Sequence, residues 1–433
     1  MRTLVIGAGV SGRAAAGLAR NLGDEVTVFD RNPVAVVDLA GAYPTASGDW
    51  STDLLARADR LVVSPGVPEH APEIRDALAQ AIPVLSEVEL AASVVEAPMV
   101  AVTGTNGKTT VTGLIADMFI AAGRKAVATG NIGTAFADVA AEPWDVVVVE
   151  VSSFQLRFVE QFHPRVAVLL NIAEDHLDWH GTLAAYAAAK ANIFRNQDAG
   201  DLLIYDIDDP GAAAAVAGAP SRLLPVSGSR VPPGGAGPAG LELVMMAEGS
   251  VELGRFRDPS FVVDLAAAAS AALELDVGLD SIARVVAGFQ PGPHRRKEVG
   301  RWAGVSWVDD SKATNPHAAL AATAAYPSVV LIAGGRNKGL DLAPLARAET
   351  VKHVVAIGEA RSELVAAVAD PRHVTAAASI VDAVAAAAAV ARDGDTVLLA
   401  PACASFDMFD SYAARGDAFA QAVTRFHQPG GAE

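Results

Sequence analysis

Ala101-Val102-Thr103-Gly104-Thr105-Asn106-Gly107-Lys108-Thr109-Thr110 is the stretch on which the reading of this chain turns. An apolar run, Pro98-Met99-Val100-Ala101-Val102, reads as a strand and feeds a tight turn holding Gly104, Gly107, Lys108 and Thr109. A helical pattern follows at once in Val111, Leu114, Ile115, Met118 and Phe119. Strand, glycine turn, lysine and helix in that order let backbone N–H groups close around a polyphosphate. The lysine then meets the terminal oxygens, and the hydroxyl after it can ligate Mg²⁺. The full Walker A pattern would place glycine at 102, where Val102 stands, so this is a shortened variant. The expectation is a nucleotide phosphate loop made by Gly104, Thr105, Asn106, Gly107, Lys108, Thr109 and Thr110.

Composition sets the frame around that loop. A chain of 433 residues has room for two to four domains of roughly 100–200 residues each. It is 52% hydrophobic and 19% charged, the balance of a compact alanine-rich protein and the opposite of a disordered one. The net charge of −17 argues against nucleic acid or an anionic membrane as partner. A phosphate ligand is still acceptable, because screening over about 8 Å leaves binding to local lysines and helix N-termini. The single cysteine, Cys403, excludes an internal disulfide and fits a reducing compartment. Neither a signal peptide nor an apolar run of spanning length is visible, so a cytoplasmic protein is expected.

Outward from the loop, the chain alternates strand and helix patterns. Residues 1–93 carry buried-strand runs at Thr3–Ile6, Glu25–Phe29, Arg60–Val63 and Pro83–Leu85. Residues 94–293 carry the phosphate loop and two β-branched strands, Asp145–Val151 and Arg165–Asn171, with a helical stretch at Thr182–Arg195. Between Asp208 and Pro238 glycine, proline, alanine and serine dominate, and an irregular or short-stranded excursion is expected. Residues 294–433 alternate again, with strands at Ser306–Asp309, Ser328–Ala333, His353–Ile357 and Thr396–Ala400 and a mobile tail from Gln428. The fold class is therefore α/β in three domains: a Rossmann-like N-terminal domain, a central P-loop-type mononucleotide-binding domain and a C-terminal Rossmann-like domain.

Gly7-Ala8-Gly9-Val10-Ser11-Gly12, after the first strand and opening a helix, matches the dinucleotide fingerprint, with Asp30 ending the second strand. On this element alone an NAD-dependent oxidoreductase is a fair reading, and a plain packing turn is the bland one. A second nucleotide loop at 103–110 favours a diphosphate-bearing substrate here, since hydride transfer needs only one. Glu150, ending a strand beside the phosphate loop, is placed as a Mg²⁺ ligand. His176 stands among Glu174, Asp175 and Asp178 at the next strand end. Lys190, taken by itself, reads as a solvated helix lysine. Arg295 and Arg296 offer forked donors to phosphate or ribose. Asp310-Ser311-Lys312-Ala313-Thr314-Asn315, Gly334-Gly335-Arg336-Asn337-Lys338 and Ala402-Cys403-Ala404-Ser405 leave three further strands at the edge where such sheets bind ligands. Cys403, among small apolar neighbours, reads as buried and inert.

Taken together, Thr103–Thr110, Gly130–Gly133, Glu150–Gln155, Asn171–Asp178, Pro293–Arg295, Asp310–Asn315 and Ala400–Asp407 resemble the Mur ligases, in order and over nearly the whole chain from Gly7 to about Phe419. Ser311–Asn315 and Ala402–Asp407 are similar to the members that add D-glutamate. The resemblance implies ATP-dependent amide formation on UDP-N-acetylmuramoyl-L-alanine through an acyl phosphate, in a monomer. It implies that Lys108 meets the ATP phosphates, that Thr109 and Glu150 hold a first Mg²⁺, and that His176 and a carbamylated Lys190 hold a second. Carbamylation would overturn the bland reading of Lys190. By the same resemblance Gly9, Val10, Ser11, Asp30 and Ser64 bind the UDP part, and Asn131 and Ser152 the muramoyl-alanine end. Arg295 and Asp310 contact ATP, Lys312 is catalytic, and Thr314, Lys338, Ser405 and Tyr412 form the D-glutamate pocket.

The chain also departs from the family's pattern. Where a His-Asn pair and a further asparagine usually contact adenine, it has Ser260-Phe261-Val262-Val263-Asp264. A nucleotide-binding protein that has lost catalysis is the alternative this hints at. Tyr412 stands where phenylalanine is common, and neither it nor Arg336-Asn337 removes a charge the chemistry needs.

Overall fold

The computed structural model describes residues 1–245 and 249–428, so the expected mobile tail lies, beyond Gln428, outside the described residues. Three sheets organise them. The first contains β1 (Arg2–Ile6), β2 (Glu25–Asp30), β3 (Thr45–Ser47), β4 (Arg60–Val63) and β5 (Val84–Ser86) in the order β3-β2-β1-β4-β5, all parallel. The chain leaves β1 for β2 on one side and returns to β4 on the other. That reversal opens a crevice at the carboxyl ends of β1 and β4.

The second sheet holds β6 (Met99–Thr103), β7 (Ala126–Gly130), β8 (Val146–Glu150), β9 (Val166–Leu169), β10 (Leu202–Asp206), β11 (Arg222–Val226), β12 (Ala236–Ala239), β13 (Glu242–Met245) and β14 (Gly249–Glu252). Their order is β14-β13-β12-β11-β10-β9-β6-β8-β7. Every residue of β6, β8 and β9 is buried, as expected for parallel strands covered on both faces. The glycine- and proline-rich stretch from Asp208 takes the short-stranded of the two forms expected. It supplies a short helix, Pro210–Ala215, and then β11 and β12, which extend the sheet before an antiparallel edge.

The helix Pro259–Glu274 is buried throughout from Phe261 to Ala272, Asp264 and Ser270 included. Its alanines (266–269, 271 and 272, all at 0% exposure) let it press against both the sheet and the phosphate-loop helix Lys108–Ala121. The third sheet runs β15-β16-β20-β17-β18-β19, comprising β15 (Lys297–Trp302), β16 (Val305–Asp309), β17 (Val329–Gly334), β18 (Val351–Ile357), β19 (Val374–Ala376) and β20 (Thr396–Leu399). It is doubly wound like the first, with a different strand order and one antiparallel edge strand, β15. By contact the chain falls into two compact units, Met1–Ile172 with Trp179–Phe289, and Ala173–Asp178 with Gln290–Glu433. Among the described residues no helix is long and apolar enough to cross a membrane.

Candidate active site

In the first unit, the loop after β6 emerges between the ends of β8 and β9, its two hydrogen-bonded neighbours. Gly107 has φ +86°, and a Cβ there would lie 2.6 Å from Asp264 Oδ1 and 2.8 Å from Leu170 Cδ1. Only glycine fits such a turn. Gly107 immediately precedes the helix Lys108–Ala121, and a helix N-terminus of this kind attracts an anion. The loop is held from one side by Asn171. Its Oδ1 accepts the Asn106 N–H at 2.7 Å and its carbonyl accepts the Thr105 N–H at 2.8 Å. Lys108 Nζ donates to the carbonyls of Gly104 (2.9 Å) and Thr105 (3.0 Å), which keeps the ammonium over the loop.

Glu150 closes the other side. It is 2% exposed; Oε1 accepts from Asn131 Nδ2 at 2.9 Å, and Oε2 is buried with no hydrogen-bond partner among the described residues. An acceptor in that condition costs about 1–3 kcal/mol unless a cation or donor arrives. Gly130 (φ +96°) makes the approach possible, since a Cβ would stand 2.3 Å from the Glu150 carbonyl. Carboxylate and hydroxyl oxygens from Glu150 and Thr109 are the hard donors Mg²⁺ takes. Ser152 is differently employed: it caps the turn Ser153–Leu156 in a reciprocal box with Gln155.

Lys190 departs most from its plain reading. It sits on the helix Leu183–Ala191 at 1% exposure, so it is no solvated lysine. Its Nζ donates to the Gly104 carbonyl at 2.7 Å and lies 4.5 Å from the Tyr186 ring centroid. The Tyr186 hydroxyl is 3.2 Å from Thr105 Oγ1. The lysine, its ring and the phosphate loop form one packed group.

At the first sheet's crevice, a cavity of about 780 Å³ is lined by Gly9, Val10, Ser11, Asp30 and Ser64. Asp30 holds the Ala8 N–H on one oxygen and the Asn32 N–H on the other, both at 2.8 Å. The same wall carries a pair the sequence did not announce. Buried Glu73 grips Arg31 through both oxygens, accepting from Nε at 2.7 Å and Nη2 at 3.1 Å, and both residues line the cavity. Arg31 beside Asp30 at a strand end was the one available signal.

In the second unit, the loops after β16, β20 and β17 lie side by side, since those strands are adjacent. Lys312 Nζ is 5.5 Å from the Tyr412 ring centroid. Lys338 donates to Asp175 Oδ1 at 2.8 Å, and Asn315 Nδ2 reaches Asp175 Oδ2 at 3.2 Å. Burial pushes the Asp175 carboxyl up, but Lys338 and His176 outweigh it and hold it below the usual carboxylate range. His176 follows in the left-handed region at φ +54°, a strain of about 1–3 kcal/mol that clusters at working sites. Asp310 is buried, and burial pushes its carboxyl up to about 6 against the pull of Arg296 and Arg295. Ser405 is buried and Tyr412 is 37% exposed. Cys403 is buried, with burial pushing its thiol up to about 12, so it is inert.

Comparison with known proteins places the chain in a family. Family models match as the Mur ligase MurD-like N-terminal domain over residues 1–86, the Mur ligase middle domain over 102–227 and the Mur ligase glutamate ligase domain over 294–403. The UDP-N-acetylmuramoylalanine–D-glutamate ligase of Frankia casuarinae is 45% identical, covering 97% of this chain and 93% of its own. That of Mycobacterium bovis is 37% identical, covering 97% and 95%. Among solved structures, MurF from Acinetobacter baumannii shares the fold at a TM-score of 0.63 and 18% identity, over 97% and 93% of the two chains. On this footing the chain belongs to the Mur ligase family, within its UDP-N-acetylmuramoylalanine–D-glutamate ligase branch.

Proposed function

We propose that the chain is an ATP-dependent ligase that joins D-glutamate to UDP-N-acetylmuramoyl-L-alanine in peptidoglycan precursor synthesis. The observation that carries the chemistry is the phosphate loop set beside a buried, unpartnered carboxylate oxygen of Glu150 and a buried Lys190. Residues 1–93 bind the UDP moiety in the cavity at Gly9–Ser11, Asp30 and Ser64. Residues 94–293 bind ATP at Gly104–Thr110, with Asn131 and Ser152 toward the muramoyl-alanine end. Residues 294–433 supply Arg295 and Asp310 to the nucleotide, Lys312 to the reacting groups, and Thr314, Lys338, Ser405 and Tyr412 to D-glutamate.

A carboxylate is a poor acylating agent, so the L-alanyl carboxylate oxygen first attacks the γ-phosphorus of ATP. An O–P bond forms, the bridge to the β-phosphate breaks, and ADP leaves. The D-glutamate amine then attacks the acyl carbonyl, loses a proton, and expels phosphate. Lys108 neutralises charge on the transferring group. Holding three anionic partners in line is worth about 7–11 kcal/mol. Thr109 and Glu150 would hold a Mg²⁺, which would supply charge neutralisation on the phosphoryl oxygens. An ammonium cannot ligate a cation. Lys190 would ligate a second Mg²⁺ only as a carbamate, formed when its neutral amine adds CO₂ and releases a proton; the family pattern gives His176 as a further ligand.

The test is phosphate release with UDP-N-acetylmuramoyl-L-alanine, ATP, Mg²⁺ and either glutamate enantiomer. Turnover with D-glutamate alone is expected. Equal turnover with L-glutamate, or none with either, rules the proposal out.

A further inference from the structure

A buried cation stands at the junction of the three loops that end β16, β20 and β17, and no step above uses it. Arg415, on the helix Tyr412–Phe426, is 1% exposed. Its Nε donates to Ser311 Oγ at 2.9 Å, its Nη2 to the Ser311 carbonyl at 2.9 Å, and its Nη1 to the Cys403 carbonyl at 3.1 Å. The Ser311 hydroxyl in turn donates a hydrogen bond to the Tyr412 carbonyl at 2.8 Å. A Cβ on Gly335, at φ +135°, would stand 3.2 Å from Nη1, so the third loop packs against the same guanidinium. One side chain therefore sets the spacing of the segments that carry Lys312 and Thr314, Ser405, Lys338 and Tyr412.

Its electrostatics are as unusual as its place. Among the described residues no carboxylate lies within ion-pair distance of Arg415. Asp407 and Asp309 act on it only at longer range, and burial pushes it down to about 10, still charged at neutral pH. Three neutral acceptors do not offset the desolvation of a guanidinium. A planar fork with donors in fixed directions can tie loops in register, which a lysine ammonium cannot do. A positive charge left without a counter-ion in a dry pocket also raises the attraction of that pocket for a dianion.

We infer that Arg415 is a positioning residue for the amino-acid substrate: it fixes the three strand-end loops and lends the D-glutamate pocket a buried positive charge, without touching the substrate. This rests on the function proposed above. It assigns Arg415 to the second half-reaction and leaves acyl phosphate formation to other residues.

The experiment compares wild type, Arg415→Lys, Arg415→Met and Ser311→Ala by steady-state kinetics, with hydroxylamine trapping of the acyl phosphate in the absence of D-glutamate. Loss of the fork in Arg415→Lys is expected to raise KM for D-glutamate roughly tenfold, and loss of the charge in Arg415→Met roughly a hundredfold. Ser311→Ala moves the same constant in the same direction. KM for ATP and for the UDP substrate, and the yield of hydroxamate, stay near wild type. Two results overturn the inference: an unchanged KM for D-glutamate in Arg415→Lys, or a loss of hydroxamate together with a parallel rise of all three KM values. The second is the signature of a merely structural residue. Should Arg415→Met fail to fold, Arg415→Lys and Ser311→Ala decide between the same outcomes. A wild-type protein that releases no phosphate on adding D-glutamate would instead defeat the proposed function.

Discussion

The Lys190 ammonium donates to the Gly104 carbonyl at 2.7 Å while lying over the Tyr186 ring. A charge is thus buried directly behind the phosphate loop. Lys190→Ala is expected to lower kcat by roughly a thousandfold, the scale of losing a group that stabilises transition-state charge. Acetate or formate should restore part of the rate if a carboxylate is what the site needs. Initial rates with and without these acids decide it, and normal activity in the variant eliminates a carbamate at this position.

Glu150 Oε2 is buried without a partner, whereas Oε1 is held by Asn131. Glu150→Gln keeps the shape and removes the charge, so the protein should fold with a similar melting temperature. Its kcat should fall by about a hundredfold or more, and its half-saturating Mg²⁺ concentration should rise. A titration with Mg²⁺ at fixed ATP measures both. An unaltered Mg²⁺ dependence would remove Glu150 from the metal site.

Gly107→Ala meets two obstacles at once, a left-handed backbone at φ +86° and a Cβ only 2.6 Å from Asp264 Oδ1. The loop must deform, at a cost of at least about 2 kcal/mol. Calorimetry with ADP should show affinity largely lost while the cavity at Gly9–Ser11 still binds UDP. Equal ADP affinity in the two proteins would contradict the loop geometry.

Glu87 is expected to give the chain a pH response away from the chemistry. It is 1% exposed; Oε1 accepts the Ala137 N–H at 2.6 Å, and Oε2 has no partner among the described residues. Burial, with Asp138 nearby, pushes its carboxyl up to about 7. Between pH 4.5 and about 7 the folded chain therefore keeps a proton that the unfolded chain has lost. Stability falls as pH rises through that window, by about 3 kcal/mol in all. Glu87→Gln cannot ionise, so it should melt like wild type at pH 5 and higher than wild type at pH 8. Thermal melts at the two pH values check this, and parallel shifts at both would refute it.

The phosphate loop was legible because each of its requirements is local. Glycine at 107, lysine at 108 and a strand before them are all within one turn of chain. The strand cores of β6, β8, β9 and β17 were legible for a similar reason: parallel strands buried on both faces must be continuously apolar, and theirs are. From their own stretches of chain Lys190, Arg415 and Glu73 were not, and only the family resemblance singled out Lys190. Each is a polar residue on a helix, and nothing within several residues distinguishes a solvated side chain from one buried by a distant segment. The partner of Lys190 is 86 positions away and that of Arg415 is 104. Asp208–Pro238 was legible only as far as irregular or short-stranded, and the structure gives the short-stranded form, β11 and β12.

What the sequence determined by itself was chemistry: the order of the motifs, the residue types at each strand end, and the family they resemble. Those depend on short-range patterns, and short-range patterns survive in one dimension. The tertiary structure alone decided which strands are neighbours, with β20 inserted between β16 and β17 and β6 between β8 and β9. It also decided which charges are dry. Adjacency and burial are created by the packing of segments far apart in the chain, and a carboxylate or guanidinium acquires its acidity and its strength only from what that packing places around it.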